Sequence, residues 1–555
     1  MAETLRSSAK VSAAVMASRV FGVVRDSLFV AIFGVSWQTD AYYIAFRIPN
    51  LLRDLFAEGA LSSAFVPTFS DALAKHGKER AFAVGNLVLT GVVLVTSIFT
   101  LLGILFAEPI VALLSASFRA STEHGVLVPP NAASAAAKLE VAIFLSRVMM
   151  PILLLVSISA VFMGMLNAQR RFTAPAWAPA LFNITSIVAG TLIWAFDAHG
   201  ERGLVIWSIA TTGAAAVQAF CQLPSLWRLG FRPRIVVTGL LNDPALRRIV
   251  RLMAPASIGL AAIQLNVFVN THFAGLISEG AVTQLQTAFR LFYVPVGVFG
   301  VALAVVTTSR VADEAARGDR VALRERTAEG AQAVFMLASA SAVGLIVLAD
   351  PVLTVLFERG KFGRAETLAI VPVLRAYMLG VLPYSLVKIY APAFYSLDRP
   401  RRPMVASLLA VASNLVFNAA TYRWLGAPGL ALGTTIAAVV NFAILRFSFS
   451  HLVGPPRRPG WFRDMVSLVL GNVALGVAAW GSWLLGDYLF AAPGEHLRGA
   501  VAALWLAATI GGAFWVYVLT LRLLRYPGAD ELAKMPLRIL RRFMGRPAAK
   551  TTPSP

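Results

Sequence analysis

Only one of the 555 residues is cysteine and only 14% are charged. A single thiol, Cys221, rules out an intramolecular disulfide framework, and its expected role is that of a small packed hydrophobe. The six histidines are scattered without metal-ligand spacing. No Walker A sequence, dinucleotide fingerprint or nucleophile elbow occurs, so bound ATP, a nucleotide cofactor and hydrolase chemistry have no support. Acidic residues are scarce too: 28 Asp and Glu stand against 49 Lys and Arg, for a net charge of +21. In a soluble protein that excess would suggest nucleic acid. Here the positive residues sit mainly in short loops between apolar stretches, so topology explains them better and no nucleic-acid partner is expected.

Hydrocarbon takes the place of the missing charge. Hydrophobic residues make up 58% of the chain and the mean hydropathy is +0.71. Soluble domains carry about 25% charged residues, so this composition describes an integral membrane protein. Apolar runs of roughly 20 residues recur from end to end, the length of a spanning α-helix rather than of a barrel strand. The first run is too long for a cleavable signal peptide and carries arginines within it.

Fourteen spans are expected, near 9–36, 41–71, 83–108, 139–166, 175–196, 203–226, 252–277, 281–309, 329–349, 367–395, 403–423, 428–450, 464–487 and 499–521. Sorting Lys and Arg by alternate loops places most of them on the side of the termini, which predicts both termini in the cytoplasm. The basic, amphipathic DPALRRIVR (243–251) reads as a surface connector between two halves, and the tail after Arg525 reads similarly. An internal repeat supports two halves. AFR at 45–47 recurs at 288–290, and LNAQRRFTAP (166–175) is echoed by YSLDRPRRP (395–403). Span 2 then matches span 8 and span 4 matches span 10, a parallel six-plus-six arrangement with spans 13 and 14 appended. The expected domains are 1–230, a connector at 231–251, 252–455, spans 13–14 within 456–525, and a basic tail at 526–555.

Charges inside the spans are the informative exceptions. A charge at the bilayer centre costs at least about 2.5–3.5 kcal/mol, so such residues persist where they face a watery cavity or one another. Asp40, Arg47, Asp54 and Glu58 form one stripe on an ideal helix, with Arg53 about a third of a turn away. In span 1, Arg19 and Asp26 share a face and Arg25 lies off it. Asp26, Asp54 and Glu58 can each neutralise a neighbouring arginine and simply lock helices. They cannot consume every cation, because Arg147 and Arg290 add to the surplus. A cavity lined by these spans attracts an anion, and guanidinium forks suit phosphate oxygens. Arg375 and Lys388 sit in an otherwise apolar second half, where Lys388 can snorkel.

At this point the chain resembles the MurJ/MviN family, the lipid II flippases of the multidrug/oligosaccharidyl-lipid/polysaccharide exporter superfamily. The matching residues are SRVFGVVRD (18–26), TDAYYIAFRIPNLLRDLFAEGALSSAFVP (39–67), the LN…F…P…P…N pattern from Asn167 to Asn183, FERGKF (357–362) and VKIYAPAFYS (387–396). The resemblance covers nearly the whole chain. It implies an all-α polytopic fold of 14 helices, two six-helix lobes in a V, and two final helices that groove the undecaprenyl tail. It also implies that Arg19, Arg25, Arg53 and Arg290 bind the pyrophosphate and headgroup, with Asp26, Asp40 and Glu58 as gating and ion-pair companions. Some relatives bind sodium through carboxylates on spans 7 and 11. Asn270, Asn414, Asn418 and Thr434 stand at those places here, and neutral oxygens hold a hard cation more weakly. Sodium or the membrane potential is left as the driving force.

The sequence therefore reads as a flippase of the bacterial inner membrane for lipid II, in contact with membrane lipid and open to the cell-wall synthesis machinery as a partner. Another polyprenyl-linked glycan, such as an O-antigen or exopolysaccharide precursor, is the alternative cargo. A cationic-drug exporter is disfavoured by the surplus arginine. A polytopic glycosyltransferase with Asp40 as base is disfavoured by the small Ala-, Ser- and Val-rich loop at 109–138.

Overall fold

A backbone surrounded by lipid must satisfy its own N–H and C=O groups, and the chain does so almost entirely by helix. The structure, a computed structural model, describes residues 2–53, 61–114, 121–123, 126–128, 132–198, 200–238, 243–397, 399–454, 460–490 and 499–534. In order, the helices are α1 (Ala2–Phe33), α2 (Trp37–Arg53), α3 (Ser62–Leu105), α4 (Ala107–Leu114), α5 (Ala132–Met149), α6 (Pro151–Ala168), α7 (Thr173–Ala195), α8 (Gly200–Phe220) and α9 (Leu223–Arg228). There follow α10 (Pro244–Ala274), α11 (Ala281–Pro295), a π-helical turn at Val296–Val301, α12 (Ala302–Ala316), α13 (Arg320–Val347) and α14 (Ala349–Phe357). The last are α15 (Arg364–Met378), α16 (Val381–Ser396), α17 (Arg401–Val453), α18 (Trp461–Phe490) and α19 (Gly499–Leu523).

Ten described helices are long and apolar enough to cross a membrane. The expected fourteen spans are consistent with these. The 53-residue α17 holds two of them, joined where Gly426 adopts φ 56°, a left-handed conformation that glycine tolerates and other residues avoid. The same device breaks α3 at Gly77, so α2 and the start of α3 cover span 2 and the rest of α3 covers span 3. α1 and α10 lie where the first and seventh spans are expected. Pro244–Arg251, within the expected connector, form the opening turns of α10, capped by the Asp243 side chain on the Ala245 N–H. The loop at 109–138 holds part of α4 and a small antiparallel hairpin, Ser121–Glu123 with Val126–Val128.

Contacts group the chain into two compact units. The first comprises Met1–Thr287, Leu356–Ile370 and Asn414–Leu430. Within it α1 packs on α7, α3 on α6, α7 on α8, and α2 on α5. Its core includes Phe65, Phe69, Phe162, Met165 and Phe231. The chain after α9 runs extended along α3, held by Asn86 and Thr90. Asn86 donates to the Arg232 carbonyl (3.2 Å) and accepts from the Arg234 N–H (3.0 Å), while Thr90 accepts from the Val236 N–H (2.9 Å). Arg80 then meets Asp243 at 2.8 Å, which secures the entry to α10.

The second unit is Ala288–Val355, Val371–Ser413 and Ala431–Pro555. α13 packs against α12, α16 and α18, and α18 packs along α19. Tyr517 donates to the Met336 carbonyl (2.7 Å) and Asn472 to Ser339 (3.0 Å), so α18 and α19 are pinned to α13 by polar contacts inside an apolar interface. Away from that seam both helices present large apolar side chains outward, Val473, Val477 and Trp480 on α18 and Leu504, Trp515 and Leu519 on α19.

Candidate functional site

The most elaborate polar contact inside an apolar helix pair lies between α1 and α7. Arg25 donates from Nε (3.0 Å) and Nη2 (2.8 Å) to Asp26 Oδ1, and from Nη1 to Asn183 Oδ1 (3.0 Å). Its guanidinium lies 5.5 Å from the Phe182 ring centroid. Asn183 turns its own amide N–H toward the Ser18 carbonyl (3.0 Å), so one α7 side chain spans two turns of α1. α1 and α7 approach closely here: a Cβ at Gly22 would be in van der Waals contact with the Asn183 amide nitrogen, at 3.6 Å. The sequence suggested internal neutralisation for Asp26, and the ion pair is present. Arg25 thus has much of its hydrogen-bonding capacity engaged by protein groups, which a phosphate would have to displace.

Asp40 is fully buried near the start of α2 and its contacts are of another kind. Its carboxylate accepts from the Gly280 N–H (2.7 Å), the Thr283 N–H (2.8 Å) and the Thr283 hydroxyl (2.6 Å). Thr283 also reaches Thr39 (2.9 Å). These donors are the orphan amides that open α11, so Asp40 caps a helix 240 residues away in sequence. A negative charge at a helix N-terminus is favourable in its own right. The expected role of Asp40 as an ion-pair partner is therefore replaced by a capping contact. Around it, Phe29, Tyr42, Tyr43 and Trp207 form a ring cluster, and the Tyr42 hydroxyl meets Thr211 at 3.3 Å.

The end of α1 has a second anchor in the first unit. Ser27 hydrogen-bonds the Leu356 carbonyl, and the Lys361 N–H donates to the Ala31 carbonyl at 2.8 Å. Gly360 makes this approach possible. It adopts φ 59°, and a Cβ would fall 2.3 Å from the Ala31 oxygen. Gly360→Ala combines strain with a backbone clash and should destabilise the protein by about 1–3 kcal/mol, read as a lower melting temperature of the purified chain. An unchanged melting temperature would show that the 357–362 turn moves freely off α1.

The remaining candidates are dispersed. Arg19 is exposed, six residues before Arg25 on α1, and Arg53 is half-buried at the end of α2. Asp54 and Glu58 lie outside the described residues. Arg290 belongs to the second unit, where its neighbours Phe289 and Tyr293 join Phe292 and Tyr377 in an aromatic cluster. Arg147 is exposed. The carbon stem of Arg47 lines an apolar cavity of about 430 Å³ with Leu51, Phe99, Phe106 and Phe268. Arg375 donates to the Ile346 carbonyl (3.1 Å) near the end of α13, and Lys388 lies over the Tyr384 ring (5.3 Å). Sequence reasoning passed over Asn183 and Thr283 as site residues. Asn183 had a signal, being an amide in the middle of an apolar helix and the last residue of a quoted family pattern. Thr283 had none.

Three of the four candidate cation ligands meet in the first unit. Asn418 donates from Nδ2 to Asn270 Oδ1 and to Asn414 Oδ1, both at 2.8 Å. Thr434 belongs to the second unit. Among the described residues no group of three or more His, Cys, Asp or Glu could hold a metal ion. The amide oxygens of Asn270 and Asn414 are turned to a nitrogen rather than to an open space, so this donor set does not fit a sodium ion.

Comparison with known proteins follows the same lines. The family described as lipid II flippase MurJ matches residues 29–492. The lipid II flippase of Burkholderia cenocepacia is 29% identical over 513 residues, covering 91% of this chain and 96% of that one. The probable lipid II flippase of Vibrio cholerae is 32% identical over 486 residues, covering 86% and 89%. A solved lipid II flippase in an inward closed conformation superposes with a TM-score of 0.73 at 23% identity, over 97% of this chain and 99% of that one. An inward-facing multidrug resistance transporter of the MATE family superposes with a TM-score of 0.60 at 19% identity, over 78% of this chain and 95% of that one.

Proposed function

We propose how this chain, which belongs to the lipid II flippase MurJ family, moves its cargo. It is a transporter rather than an enzyme, and it flips lipid II across the membrane for cell-wall synthesis. The observation that carries the site assignment is the Arg25–Asp26–Asn183 cluster, with exposed Arg19 on the same helix. In this reading the pyrophosphate first meets Arg19 and then competes with Asp26 for the Arg25 fork. Two phosphate oxygens present the same bidentate geometry that the fork prefers and carry more charge than one carboxylate. Arg53 and Arg290 are the further arginines of the headgroup-binding set, and alternating access carries the headgroup across. Asp26, released from Arg25, and Glu58 are the gating acids of the cycle.

The polyprenyl tail stays in lipid beside α18 and α19, whose outward apolar faces suit it. Both termini face the cytoplasm and the membrane is the bacterial inner membrane. Because the Asn270, Asn414 and Asn418 set does not fit sodium, the membrane potential resets the cationic helices in this reading; one charge across 100 mV is worth about 2.3 kcal/mol.

The test is complementation. The host's own lipid II flippase is depleted, and growth and outward exposure of labelled lipid II are followed with this chain expressed. Wild type rescues both. Arg19→Ala and Arg53→Ala, at matched expression, lose roughly tenfold or more of the flipping rate, the worth of one charge-assisted bond of about 1.5 kcal/mol. Rescue by both variants at wild-type rates would make these arginines structural. Failure of the correctly inserted wild type would move the cargo to another polyprenyl-linked glycan.

A further inference from the structure

The amide cluster between α10 and α17 stands where the resemblance puts a sodium site in some relatives, and so bears on energy coupling. Asn270 comes from α10; Asn414 and Asn418 come from α17, one turn apart on the same face. Asn414 and Asn418 are both fully buried. The nitrogen of Asn418 sits 2.8 Å from two carbonyl-type oxygens on two different helices. That is the position from which a small cation would hold the same two oxygens.

We infer that the Asn418 amide group takes the place of a coupling cation, cross-linking α10 and α17 permanently by hydrogen bonds instead of reversibly by an ion. The argument is one of donors and acceptors. An amide offers two N–H donors and one oxygen, and Asn418 has spent both donors on the oxygens that would otherwise be ligands. The one cluster oxygen left buried without a hydrogen bond is Asn418 Oδ1. A hard cation exchanges its water shell for several oxygens, preferably carboxylates, and a single neutral oxygen does not compensate for that loss. Without an ion to gain or lose, the α10–α17 contact has the same strength whatever monovalent salt surrounds the protein. The geometry also says how to undo this. Asn418→Asp removes the donating nitrogen, supplies a carboxylate of the same shape, and turns three oxygens inward.

The measurement is thermal unfolding of the purified full-length chain in sodium, potassium or choline chloride at one ionic strength, with the ion concentration titrated. It does not depend on which lipid is carried. Wild-type curves should coincide in the three salts, whereas Asn418→Asp should be less stable in choline and recover with a saturating dependence on sodium, as a ligand binding only the folded state requires. Asn418→Ser, which also removes the nitrogen and leaves an oxygen in its place, serves as a second route should the first variant fold poorly. A saturating, sodium-specific rise in the wild type would overturn the inference outright, without any variant. So would a folded Asn418→Asp that ignores sodium, because the amide nitrogen would then not stand in an ion's place.

Discussion

Arg25→Ala should abolish rescue of a flippase-depleted host and lower the melting temperature of the purified protein. The two losses have one cause. Arg25 is only 16% exposed at its side chain and Asp26 only 7%, so the alanine variant deprives a buried carboxylate of its guanidinium. Breaking a buried pair from one side costs about 3–5 kcal/mol, a large part of the stability of an ordinary protein. Asn183 loses its donor at the same time. Arg25→Lys separates the charge from the fork. It keeps the cation, cannot bond Asp26 and Asn183 together in one plane, and should restore much of the stability but little of the flipping. Asp26→Asn provides the opposite contrast, leaving the fork present and less tightly held. If Arg25→Lys flipped lipid II at the wild-type rate, charge alone would suffice and the planar geometry would be irrelevant.

Asp40→Ala should be the most destabilising single change outside that cluster. It removes three hydrogen bonds to one carboxylate and leaves the Gly280 and Thr283 amides buried and unpaired. Bonds to a charged acceptor are worth about 1.5–3 kcal/mol each, and orphaned donors add their own desolvation, so a loss of about 3 kcal/mol or more is expected. Asp40→Asn should fall between, since its remaining oxygen can still cap one amide while its NH₂ opposes the other. Thr283→Val tests the same contact from the far side and should cost about 1–2 kcal/mol through the hydroxyl alone. Thermal melts of the three variants should fall in the order Thr283→Val, Asp40→Asn, Asp40→Ala. Equal melts for Asp40→Ala and wild type would mean the cap contributes nothing.

How much of this could be read from the sequence depended on whether the controlling contact was local. Helices follow from apolar runs and the absence of water, so their places could be read, and the backbone breaks at Gly77 and Gly426 fall in the gaps between expected spans. The Arg25–Asp26 pair was visible because the partners are adjacent. The roles of Asp40 and Asn418 were not, for opposite reasons. A carboxylate near arginines on one helical stripe suggests an ion pair, and nothing in the residues around Asp40 announces the start of α11. Asparagines at the places where the resemblance implies a cation site suggest a weakened one, and the direction of the Asn418 amide is what fills it with a nitrogen.

The cap between Asp40 and α11 also has a meaning for how the protein is made. Its two sides are 240 or more residues apart, and the first compact unit draws on chain as late as Leu430. At about 5–20 residues per second, the ribosome needs roughly 12–50 s after Asp40 to deliver its partner. Throughout that interval a carboxylate destined for complete burial has no helix to cap. The nascent protein must therefore keep Asp40 in water or in the care of the insertion machinery until α11 arrives, and fragments ending before residue 280 should be recognised and degraded as unfinished.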